Sequence, residues 1–125
     1  MSGAAPAPRR EDLPDGSVRI VFAAPIILHG EAKGHVDLRP PTAGERWDIG
    51  EPISHVYGDG AVTPWVDRAV LRKWIDLLMV GHDADVIARE RDAALGILID
   101  EAVLDFFAKA RKRLMAASAL SSATE

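Results

Sequence analysis

Apolar positions change period partway along the chain, and that change divides it into two parts. Val18, Ile20 and Phe22 alternate with Arg19, Val21 and Ala23, the period of two that a strand requires. Pro25 confines ladder pairing there to an edge or a bulge. After Ile26-Ile27-Leu28 comes the polar stretch His29-Gly-Glu-Ala-Lys-Gly34, then a second alternating run with Val36 and Leu38 on one face. Together these predict a β-hairpin with a loop of about five residues. Pro40-Pro41 ends it, since neither residue donates a ladder hydrogen bond.

From Thr42 the signals are helical. Thr42 and Glu45 have capping-box spacing and predict a short helix carrying Trp47 and Ile49. Gly50, Pro52, Gly58 and Gly60 mark a loop, and Thr63-Pro64 reads as the start of a helix running to about Val80 and ending at Gly81. Its apolar stripe is Val66, Val70, Trp74, Leu77 and Leu78, with Trp65 near the exposed amino end. A further helical stretch starts near Asp83, and Asp92 caps a last helix. There Leu95, Leu98, Ile99, Ala102, Val103, Phe106, Phe107 and Ala110 recur at spacings of three and four. The expected fold is α+β: an N-terminal β-hairpin followed by a small bundle of three to four helices. Residues 1–16 read as a disordered leader, 17–115 as the domain and 116–125 as a flexible tail.

Composition narrows the function classes. With 125 residues and 48% apolar side chains, the chain suits one small folded domain, for which a partner or self-association would add stability. The longest run without a polar side chain, Ile20 to Leu28, is far short of the roughly 20 residues a bilayer span needs, so no membrane partner is expected. The amino terminus lacks the basic-then-apolar order of a secretory signal. Without cysteine there is no disulfide, thiolate metal site or thiol nucleophile.

The residues capable of chemistry do not assemble into a site. His29 and His35 flank the hairpin loop, but no carboxylate spacing completes a metal shell around them, and His55 has no partner in the pattern. His82-Asp83 is the dipeptide of a metal-dependent phosphohydrolase superfamily, yet a helix cap explains Asp83 without chemistry. Asp100, Glu101 and Asp105 diverge around a helix and read as its solvated side. No catalytic residue, metal or cofactor is expected, and the chain reads as a non-enzyme.

Charge adds one feature. The net charge is −4, and setting aside Lys109, Arg111, Lys112 and Arg113 leaves −8 on the remainder. Cations near a helix C-terminus answer its unpaired carbonyls, which is the structural reading of the cluster. Its functional reading is contact with an acidic partner or with nucleic acid, and an acidic remainder weighs against nucleic acid. Adjacent Phe106 and Phe107 cannot face the same way. Phe106 is assigned to the core, while Phe107 with Leu104 widens the apolar surface toward a partner.

The run from Val18 to Glu45 resembles the opening of the phage tail assembly chaperones of contractile-tailed phages of the Mu type. It carries a strand ending in Pro25-Ile26, a hairpin glycine at Gly30, and the turn Leu38-Arg39-Pro40-Pro41-Thr42-Ala43-Gly44-Glu45. The motif positions are Pro25, Gly30, Leu38, Arg39, Pro41, Thr42, Gly44 and Glu45, and the likeness extends over about 90 residues. The loop from Glu51 to Val62 and the Ala/Pro leader depart from the pattern. The resemblance implies a non-enzymatic protein of the bacterial host cytoplasm, absent from the mature virion. It would bind the tape-measure protein through a groove between its helices while the tail tube polymerises. Leu104, Phe107, Lys109, Arg111, Lys112 and Arg113 are the candidate contacts. The alternative is a small DNA-binding regulator using the basic C-terminal helix.

Overall fold

The computed structural model describes residues 6–123. Its centre is a four-stranded antiparallel sheet in the order β1-β2-β3-β6, built from β1 (Arg9–Asp12), β2 (Val18–Leu28), β3 (Glu31–Leu38) and β6 (Met79–Val80). The expected hairpin is β2 and β3, joined by His29 and Gly30 alone. Both have positive φ, 53° and 79°, the pairing that lets a two-residue turn match strand twist. The polar stretch read as loop is therefore mostly strand.

Pro25 lies in a bulge. Val21 pairs with His35 and Ile26 with Lys33, so β2 advances five residues while β3 advances two. Either side of it, Val18, Ile20, Phe22, Ile26 and Leu28 face inward and meet Val36 and Leu38 from β3. On the opposite face Arg19 and Asp37, directly across the ladder, form a two-pronged ion pair at 2.9 and 3.2 Å. That bond to Arg19 holds the Asp37 carboxyl below its ordinary value.

Four helices accompany the sheet, α1 (Ala43–Ile49), α2 (Arg68–Leu78), α3 (Ala84–Ala88) and α4 (Ala93–Ala123), and α2 and α4 supply most of the cover for its inner face. Leu71, Trp74 and Leu78 of α2, with Leu95, Ile99, Ala102, Val103 and Phe107 of α4, complete the core. Trp74 is its centre: fully buried, it meets Phe107 edge-on at 5.1 Å between ring centroids and donates its indole N–H to the Gly50 carbonyl at 2.8 Å. The architecture is thus α+β, with helices layered on a sheet rather than a bundle following a hairpin.

Four expectations need correction. Arg9–Asp12, read as part of a structureless leader, is an edge strand paired with Val18–Val21, and its charges suit an edge. Residues 1–5 of that leader lie outside the described residues. The loop and helix start read between Gly50 and Pro64 are instead a separate two-stranded ribbon, β4 (Ile53–Gly58) and β5 (Ala61–Val66), turning at Asp59-Gly60. Thr63 and Pro64 lie within β5, where a ribbon with no third strand tolerates proline. The true cap of α2 is Asp67, whose carboxylate accepts from the amides of Ala69 and Val70 at 3.1 and 3.2 Å. Finally, α2 stops at Leu78 because Met79 and Val80 pair with Leu38 and Asp37, and α4 continues through the expected tail, of which residues 124–125 lie outside the described residues.

The remaining caps agree with expectation. Thr42 and Glu45 form both halves of a capping box, and Asp83 and Asp92 accept amide hydrogen bonds at the starts of α3 and α4.

Candidate functional site

The stretch from Leu38 to Glu45 is held by bonds that require its residue types. Leu38 is fully buried at the end of β3, and the next amide, Arg39 N–H, donates to the Leu78 carbonyl at 3.0 Å. The chain then leaves the sheet through Pro40 and Pro41. Arg39 reaches forward and grips Glu45 with both guanidinium arms, at 2.9 and 2.5 Å. Glu45 also accepts from the Thr42 amide at 2.9 Å, while its own amide donates to the Thr42 hydroxyl at 3.2 Å. The Arg39 guanidinium, aided by the Thr42 amide and hydroxyl, lowers the Glu45 carboxyl from 4.5 to about 2. Of the other motif positions, Gly30 supplies the positive φ of the hairpin turn, and Gly44 lies in the first turn of α1.

This turn forms one wall of a groove of about 600 Å³. Pro40 and Pro41 face Phe106, Lys109, Lys112 and Arg113 of α4 across it, and the β1–β2 turn at Asp15-Gly16 closes one end. An apolar floor under a row of cations suits an amphipathic segment with an acidic edge. The motif and the basic cluster, far apart in sequence, thus border the same space. A second groove, of about 330 Å³, lies between α2, α3 and the start of α4, away from the cluster. The sequence-based picture of one inter-helical groove carrying the cations divides into these two.

The four cations are not equivalent. Lys109 lies 3.3 Å from Asp105 and 3.5 Å from Asp12, and Arg111 holds Glu51 at 2.5 and 2.6 Å. Glu51 also pairs with Arg46, so α4 is tied to the end of α1; although its burial works the other way, the two guanidinium groups keep Glu51 below the ordinary value. Lys112 and Arg113 have no carboxylate partner among the described residues. The helix-end explanation of the cluster fails, because α4 runs on to Ala123.

The two phenylalanines exchange their expected roles. Phe107 is only 7% exposed and belongs to the core, so it offers nothing to a partner, whereas half-buried Phe106 lines the groove. Leu104 is half-buried against the core. The sequence pattern assigns the core position to Phe106, but only one helical step separates the pair, and α4 turns Phe107 inward instead.

His29 stacks on His82 with ring centroids 5.8 Å apart instead of meeting His35, whose Nε2 lies 4.0 Å from Asp37. His55 is exposed in β4. Among the described residues no three His, Asp or Glu side chains converge as a metal site would require, and no helix is long and apolar enough to cross a membrane. Asp100 and Asp105 have separate partners, Arg68 at 3.2 Å and Arg10 at 2.8 Å. Burial pushes the Asp100 carboxyl above its ordinary value despite Arg68.

The β4–β5 ribbon contributes a surface that sequence reasoning missed. Val56, Tyr57, Val62 and Trp65 are exposed on it, and Trp47 on nearby α1 is 78% exposed. The signal was the dipeptide Asp59-Gly60 between alternating residues, a strong hairpin marker. Comparison with protein-family models, curated protein sequences and solved structures returns no match for this chain.

Proposed function

We propose that the chain is a non-enzymatic tail assembly chaperone of the type found in contractile-tailed phages, acting in the bacterial host cytoplasm and absent from the finished virion. Its client is the tape-measure protein, held soluble while tube subunits polymerise around it. The observation that carries this reading is the shared groove: the motif turn at Pro40-Pro41 faces Phe106 and the free cations Lys112 and Arg113. A holdase needs a surface that takes an amphipathic helix and lets it go. An open, half-apolar groove with a basic rim supports that role better than a closed pocket would.

The cation count argues against the DNA-binding alternative. Lys109 and Arg111 are engaged with carboxylates of the same chain. The two cations of the C-terminal helix without a partner among the described residues would release so few counterions that the logarithmic salt slope of duplex binding by that helix would be only about −2, too shallow for a dedicated binder.

Co-expression with the tape-measure protein tests the proposal. The expected result is that the long protein moves from the pellet to the soluble fraction when this chain is present. Equal insolubility with and without the chain overturns it.

A further inference from the structure

The β4–β5 ribbon leaves one strand edge open and closes the other. Its turn, Asp59-Gly60, joins Gly58 directly to Ala61, so these two exchange hydrogen bonds, as do Val56 with Thr63 and Ser54 with Trp65. The alternate residues point their backbone N–H and C=O groups away from the ribbon. On the β4 side these are Ile53, His55 and Tyr57, and on the β5 side Val62, Pro64 and Val66. Pro64 has no N–H, which blocks the middle of the β5 edge. The β4 edge holds no proline and no acid, lysine or arginine, and no further strand pairs with it among the described residues. A ribbon of two strands is marginally stable in water until another strand joins it.

An open strand edge takes an extended segment, which excludes a helical client. Its fit to itself selects a second copy. When β4 meets β4 antiparallel about His55, every outward backbone group on both strands is paired, and Ile53 lies opposite the second copy's Tyr57. Asp59 is the ribbon's single formal charge, and it has no ion pair among the described residues. The same register brings the second copy's Asp59 level with Glu51 at the foot of the ribbon, where Arg46 and Arg111 share that one carboxylate. The unpaired anion thus arrives beside two cations that have one anion between them.

We propose that β4 pairs with β4 of a second copy, antiparallel and centred on His55, merging two ribbons into one four-stranded sheet. The outer edges of that sheet are the two β5 strands, each stopped at Pro64, so the assembly ends at a dimer and does not grow into a filament.

The isolated chain, without client, provides the test. No ribbon residue lines the groove beside Pro40 and Pro41, so failure here leaves the chaperone reading standing. Sedimentation equilibrium is expected to show wild type passing from the monomer mass to twice that mass as concentration rises. His55→Lys and His55→Glu each set two like charges face to face and should stay monomeric. Mixed in equal amounts, these two variants should dimerise, because the facing charges are then opposite. Thr63→Lys, on β5, should dimerise as wild type does. His55 and Thr63 are both exposed, so every variant should keep the wild-type circular dichroism spectrum. Hydrogen exchange locates the contact: the His55 and Tyr57 amides should slow as wild type dimerises, while the outward amide of Val62 should not. A wild-type chain that stays monomeric to its solubility limit, a dimer that survives His55→Lys, or a Lys and Glu mixture that stays monomeric overturns the proposal.

Discussion

Replacing Glu45 separates the two tasks this residue performs. Glu45→Gln keeps an oxygen for the Thr42 amide but loses the charge that Arg39 grips. Glu45→Ala loses both. The ion pair is about a third exposed on its arginine side, so screening limits it to roughly 0.5–1 kcal/mol despite its two-armed geometry. A capping interaction contributes about 1 kcal/mol. Glu45→Gln should therefore cost roughly 0.5–1 kcal/mol and Glu45→Ala roughly 1.5–2. At about 4–8 °C per kcal/mol, the Ala variant should melt about 6–16 °C below wild type. The loss should depend on pH in a definite direction. A carboxyl lowered to about 2 when folded stabilises the fold fully above its ordinary 4.5, and loses that contribution as pH falls from 4.5 through 2. Tryptophan-fluorescence urea melts from pH 7 to pH 3 measure this. Wild type and Glu45→Gln should converge as the pH falls. A gap that is absent at pH 7, or constant down to pH 3, would refute the role assigned to the pair.

Two further substitutions probe the core and the helix that crosses it. Trp74→Phe strands the Gly50 carbonyl and should cost about 1–3 kcal/mol, whereas Trp74→Ala also opens a cavity and should cost at least 3–5; chemical denaturation separates them. Gly96→Ala meets open space in a helix interior and should raise stability by about 0.5–1 kcal/mol, read as an increase in the thermal midpoint.

Local signals in the sequence were the legible ones. Thr42 with Glu45, Asp83, Asp92, and Pro25 at a bulge each act within a few residues, and each does what its chemistry implies. Where two local signals competed, tertiary pairing decided. Thr63-Pro64 is a valid helix opening, but Asp59-Gly60 folds that segment back on Ile53–Gly58 and moves the cap to Asp67. Met79 and Val80 continue an apolar stripe, yet β3 takes them as a fourth strand. Arg9–Asp12 has no apolar pattern because an edge strand needs none. The groove was half legible: its motif wall and its cations both stand out in sequence, while their adjacency and the exchange of Phe106 for Phe107 depend on how α4 rotates against Trp74.

The central claim is that this groove holds the tape-measure helix, and co-purification under charge reversal tests it most directly. A tagged wild-type chain co-expressed with the tape-measure protein should retain it on the affinity column. Lys112→Glu combined with Arg113→Glu, folded as wild type because neither side chain supports the body, should lose most of it. Equal recovery of the client by both chains would contradict the account.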